Sequence, residues 1–159
     1  MTPLARAAFA LACAERTQEF CALPRDDQTR ATMRAALAAA SAAIGEGLLA
    51  PHLAVMLAKL EGSPGLDDDA AAATAYALRC LQSGDAQEAV WSAQRAYDAR
   101  DAAAQAQLQF ENFTPSVEEQ LRSASVVQLE LQCQMEDIAA LSGDSERSGE
   151  IVERARTPR

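Results

Sequence analysis

The sequence predicts an all-α fold, a compact helical bundle of five to seven helices running mostly up and down. Composition is the first reason: 49% of the residues are hydrophobic but only 4% are aromatic, because alanine supplies much of the apolar content. Alanine loses no side-chain entropy in a helix and hides no polar group, so such a chain builds helices that pack through small side chains. The second reason is periodicity, with apolar residues recurring at 3.6-residue spacing in run after run. The third is punctuation, since Gly, Pro, Ser and Asp fall between the runs. Long helices with short connections make a bundle, and no fixed repeat points to a solenoid. A chain of 159 residues suits one core. We read residues 1–141 as a single helical domain and 142–159 as a polar tail, either a frayed helix or disordered.

The first helix starts at Thr2 as N-cap with Pro3 at the first helical position, where a missing N–H costs nothing. Leu4, Ala8, Leu11, Ala12 and Phe20 give its apolar stripe, and Pro24 ends it. Asp26 or Asp27 caps the second helix, which carries Met33, Leu37, Ala40 and Ile44 and stops at Gly45 and Gly47. Pro51 opens a short segment through Leu53, Met56, Leu57 and Leu60, followed by a loop at Gly62, Ser63, Pro64 and Gly65. Asp67, Asp68 and Asp69 precede the run Ala70 to Leu81 and suit the positive end of its dipole. They do not read as a calcium loop, because Ala70 to Ala73 offer no oxygen ligands.

Ser83 and Gly84 close that helix, and Asp85 with Glu88 resembles a capping box opening the next. Leu108, Phe110 and Phe113 fall near its end. Thr114 then caps, and Pro115 opens, one last long helix with the stripe Val117, Leu121, Val127, Leu131, Ile138 and Leu141. Beyond Ser142 the chain turns polar.

The net charge of −9 disfavours nucleic acid, whose phosphates need Lys and Arg, and it disfavours an anionic membrane surface. No run of apolar residues is long enough to span a bilayer, and the N-terminus lacks the pattern of a signal peptide. Cys13 and Cys21 lie eight residues apart in one helical pattern, about 12 Å along the axis, too far for a disulfide or a shared zinc. With Cys80 and Cys133 they read as free thiols of a cytoplasmic protein. His52 is the sole histidine, and no Glu-x-x-His pair exists to build a di-metal bundle site. No Gly-rich phosphate loop occurs either. We therefore expect no metal, no cofactor and no catalytic residues, and a protein that is not an enzyme.

The stretch Val127-Gln128-Leu129-Glu130-Leu131-Gln132-Cys133-Gln134-Met135-Glu136-Asp137-Ile138 resembles the VQ-x-EL-x-x-Q-x-x-DL signature of the YjaG-type bacterial proteins. Ala70 to Asp101 is similar in layout, and Ala12-Cys13-Ala14-Glu15-Arg16 resembles that family's A-C-C-E-R start. Ala14 replaces the second cysteine, a proline is missing after Arg16, and Ser125 stands where the family has proline. The resemblance implies an all-helical cytoplasmic fold and, because the family is a domain of unknown function, no activity.

Glu130, Gln134, Asp137 and Leu141 follow a 4-3-4 spacing and share a helix face beside the apolar stripe. A half-buried carboxylate needs a hydrogen-bonded cation, and Arg16 is the natural candidate. We expect Arg16, Glu130, Gln134 and Asp137 to form a polar lock between the first and last long helices. A site using Glu130 and Asp137 chemically is the competing reading.

Charge is uneven along the chain. Residues 1–60 hold six basic and five acidic side chains, whereas 61–159 hold eight and eighteen. Acidity on that scale steers basic partners. The expected role is therefore a protein-binding module of the immunity or antitoxin type that occludes a basic, nuclease-like toxin. The expected binding residues are Asp67, Asp68, Asp69, Phe110, Glu111, Phe113, Glu118 and Glu119, with aromatic anchors inside an acidic rim. The alternative is a homo-oligomeric structural or regulatory protein, with a homodimer as the simplest form.

Overall fold

The computed structural model describes residues 1–20, 27–46, 53–63, 68–108 and 114–157. The described residues are helical and contain no strand. Among the described residues there are eight α-helices: α1 (Pro3–Phe20), α2 (Asp27–Gly45), α3 (Leu53–Glu61), α4 (Asp69–Ser83), α5 (Ala86–Leu108), α6 (Pro115–Ser123), α7 (Ser125–Gly143) and α8 (Ser148–Ala155). One turn of 3₁₀ helix, Ser145–Arg147, leads into α8. Pro24, Gly47, Pro51, His52, Pro64, Gly65 and Cys21 lie outside the described residues.

The count exceeds the expected five to seven for two physical reasons. The last long helix is broken at Ala124, whose φ of −59° and ψ of 134° leave the helical region. The Gln128 side-chain amide donates to the Arg122 carbonyl at 2.6 Å, satisfying an acceptor that the break frees. The polar segment after 142 also folds. Ile151 and Val152 of α8 are 1% and 2% exposed, and α8 packs on α1 and α2. Two apolar residues side by side suffice to dock a short helix, and they were hidden in a polar composition.

Helix α1 is the centre of the bundle and touches α2, α4, α5, α7 and α8. Its sequence explains why. Ala5, Ala7, Ala8, Ala10, Ala12, Cys13 and Ala14 are buried, so small side chains face every direction rather than one stripe. A helix sheathed in alanine lets neighbouring axes approach closely, and dispersion contacts then accumulate on all sides. Larger side chains fill the gaps between outer helices: Leu11, Met33, Leu37, Leu53, Leu60 and Leu78 are nearly inaccessible. A smaller apolar cluster of Ala104, Val117, Leu121 and Val127 joins the end of α5 to α6 and α7.

Local signals hold at several helix ends. The Thr2 hydroxyl accepts from Ala5 N–H at 3.2 Å, and Thr114 accepts from Val117 N–H at 3.3 Å with Pro115 at the first helical position. Gly84 ends α4 at φ +69°, where its N–H donates to the Cys80 carbonyl at 2.7 Å. A Cβ at residue 84 would lie 2.9 Å from the Pro3 Cβ, so glycine serves both the left-handed turn and the close passage of α1. Asp85 caps α5 by accepting from Gln87 N–H at 2.9 Å. The reciprocal half of the expected capping box is replaced: Asp85 N–H donates to the Ser83 hydroxyl, not to Glu88.

Candidate functional site

Helix α7 carries the residues singled out from the sequence, and its facing differs from the expected stripe. The buried face is Val127, Glu130, Cys133, Asp137 and Leu141. Leu131 is only half-buried and Ile138 is 43% exposed. Two acids have displaced two aliphatic residues from the interior. Glu130 is fully buried and Asp137 is 1% exposed.

Such burial is tolerable only with partners, because an unpaired buried carboxylate costs several kcal/mol. Four helices supply them. Arg16 of α1 donates through Nε to both Glu130 oxygens, at 3.2 and 3.0 Å, and through one terminal nitrogen to Asp137 Oδ2 at 2.7 Å. Its other terminal nitrogen lies 3.5 Å from Cys13 Sγ. Gln134 Nε2 donates to Glu130 Oε1 at 3.0 Å and to the Ala93 carbonyl of α5 at 3.1 Å. Arg100 of α5 stands 3.7 Å from Glu130 Oε2. Arg154 of α8 pairs with Asp137 Oδ1. The structure thus brings together all four residues proposed for the lock, and a guanidinium on α5 and another on α8 join them.

The electrostatics follow from burial and proximity. Burial alone would lower the Arg16 pKa, but Cys13, Glu130 and Asp137 together raise it above its ordinary value. Cys13 beneath it is pushed up, chiefly by loss of hydration and only partly offset by Arg16, so the thiol stays protonated at neutral pH. Cys80 is likewise raised to about 11 by burial. Cys13, Cys80 and Cys133 are buried and form no disulfide, and protonated, sequestered thiols such as Cys13 and Cys80 are poor nucleophiles. A cavity of about 20 Å³ adjoins the lock, lined by Arg16, Arg100, Asp137 and Arg154 among others. It has room for about one water molecule. Around it, each carboxylate already accepts from a guanidinium, which suits holding helices together better than turning over a substrate.

Arg100 and Arg154 were missed in the sequence for different reasons. Arg100 follows Ala89, Ala93 and Ala96 at helical spacing, so an arginine on an inward alanine face was the available signal. Arg154 lies in the polar segment after residue 142, whose composition does not announce a helix.

The expected binding residues are less gathered. Asp67, Phe110, Glu111 and Phe113 lie outside the described residues. Asp68 stands at the N-cap of α4 without a side-chain cap bond, and Asp69 in the first turn pairs with Arg95 at 3.1 Å. Glu118 pairs with Arg122 one turn on, and Glu119 is exposed. Asp68 and Asp69 open α4 whereas Glu118 and Glu119 sit on α6, and those two helices share no extensive contact. No described helix is long and apolar enough to cross a membrane. Comparisons with protein-family models, curated proteins and solved structures gave no match.

Proposed function

We propose that this protein is a non-catalytic, cytoplasmic protein-binding module, a mostly up-and-down bundle of the immunity or antitoxin type that occludes a basic, nuclease-like toxin. One observation carries the reading. Within 61–157, Arg79, Arg95, Arg100, Arg122, Arg147, Arg154 and Arg156 each stand in an ion pair with a carboxylate of the same chain. The eighteen acids of residues 61–159 outnumber the eight cations, so acids are left over once those cations are paired. Asp98, Asp101 and Glu119 belong to that surplus, with no ion pair among the described residues. An outward acidic field speeds encounter with a basic surface and repels acidic competitors.

Cys13, Cys80, Cys133 and the lock carboxylates are held inside, which favours a binding role over a chemical one. The resemblance to the YjaG-type family, proposed on the same footing, adds no activity.

The test is capture of tagged protein with its partner from the native cell, followed by association kinetics of the purified pair at low and high salt. A basic partner should associate several-fold more slowly at high salt, and Glu118→Lys with Glu119→Lys should slow it by roughly tenfold without unfolding the module. An acidic partner, or association indifferent to salt and to both reversals, would overturn the proposal.

A further inference from the structure

The outward edge between α5 and α7 is apolar where a surface is expected to be polar. Val90 is 56% exposed, Met135 69% and Ile138 43%. These side chains share one seam. Gln134 reaches the Ala93 carbonyl and Arg100 faces Glu130, so α5 and α7 run antiparallel, with residue numbers on facing turns adding to a near-constant sum. That register sets Ile138 beside the turn of Val90, and Leu131 packs in the same small cluster as Tyr97. On α5, Val90, Tyr97, Asp101 and Leu108 recur at helical spacing along one edge. Leu108 is 44% exposed. From Val90 to Asp101 the edge runs about 17 Å, about three turns of a partner helix.

Charge selects the occupant. Asp98 and Asp101 lie on the outward side of α5, held by Gln94 and Gln105 at 2.7 and 2.6 Å rather than by any cation. Helix α7 contains no Lys or Arg. The cations of α5 are Arg95, turned to Asp69 on α4, and Arg100, buried against Glu130. Two copies set face to face would bring acid against acid, which penalises a homodimer. A cationic amphipathic helix fits both properties, its apolar stripe on Val90, Leu131, Met135 and Ile138 and its lysines or arginines on the aspartates.

We infer that the α5–α7 edge is the docking surface for a cationic amphipathic helix of a partner protein. The inference rests on the acidic-module reading and adds an apolar contact on α5 and α7, with Glu118 and Glu119 of the neighbouring α6 steering approach. Val55, also exposed at 61% but on α3, is the control position.

The experiment titrates a synthetic Leu/Lys peptide of about 18 residues with one apolar face into the full chain, followed by amide NMR shifts and by anisotropy. A peptide of the same composition in scrambled order runs alongside. The amphipathic peptide should shift amides around Val90, Asp101, Leu131 and Ile138. Its affinity should fall about tenfold in Met135→Ser/Ile138→Ser and hold in Val55→Ser, since truncating central apolar anchors is what costs binding. Equal binding of both peptides, with shifts at Glu118 and Glu119, would overturn the docking surface and leave the acidic-module reading standing. No binding of either peptide would overturn the docking surface, whereas the acidic-module reading falls only to the partner and salt tests above. A dimer seen by sedimentation without peptide and lost in Ile138→Ser would give the edge to a second copy and also overturn the inference.

Discussion

Helices α1 and α7 are 18 and 19 residues long and bury opposite kinds of chemistry. Helix α1 is surrounded, and its interior positions are mostly alanines, with Phe9, Leu11, Cys13 and Thr17 among them and Arg16 near its end. Helix α7 buries Glu130 and Asp137 while exposing Met135 and Ile138. The first obeys transfer free energy directly: small apolar groups leave water and helices approach. The second obeys it only after pairing. Once Arg16 is brought in on α1, the carboxylates gain charge-assisted bonds that their hydration had supplied, and Met135 and Ile138 of the same helix are left to the outside. The difference teaches that burial in a small-residue bundle follows partners as much as hydropathy. Inward acids on α7 answer to α1, and its outward aliphatics answer to nothing within the described residues.

The largest effect should come from removing the shared partner. Arg16→Ala leaves two buried carboxylates short of a cation, and urea unfolding should show a loss of about 3–5 kcal/mol. Paired with Glu130→Gln or Asp137→Asn, the loss should be smaller than the sum of the single changes, because the second change removes a charge already stranded. A loss near zero, or strict additivity, would break the contrast between the helices.

Alkaline pH sharpens it from the thiol side. The Cys80 pKa is raised from 9.0 to about 11 by burial, so between those values the folded thiol keeps a proton that the unfolded one has released. Stability is then full below pH 9 and declines as pH climbs toward 11. Denaturant midpoints measured across that window should fall more in the native chain than in Cys80→Ala; equal decline in both would remove the buried thiol from the account. A smaller effect is expected at the rim of the lock. The Arg154 side chain is 38% exposed, and Arg154→Ala should cost only about 1 kcal/mol because solvent screens and replaces the partner.

What could be read from the sequence was local or strongly periodic. Thr2 with Pro3 and Thr114 with Pro115 announce helix starts through a hydroxyl acceptor and a pre-set φ, and the structure honours both. The grouping of Glu130, Gln134 and Asp137 followed from helical spacing alone, and Arg16 from the need for a cation. The rest depended on tertiary context. Nothing at Ala124 marks a break, since alanine is a good helix former; the break is held by a side chain four residues on. Ile138 looked like core because its angular position lies next to Val127, yet the acids had taken the interior. Helix α8 was obscured because Ile151 and Val152 stand among charged neighbours. Arg100 and Arg154 could enter the lock only once α5 and α8 had been placed.

The central claim is that α7 holds its paired acids Glu130 and Asp137 inside while the apolar Met135 and Ile138 contribute little to the fold from outside. Urea unfolding of Glu130→Gln beside Met135→Ser/Ile138→Ser tests it most directly. The account predicts a loss of about 3 kcal/mol for the single polar change inside and a change within about 0.5 kcal/mol for each exposed apolar residue made polar. A serine pair that destabilised the fold as much as Glu130→Gln would contradict it.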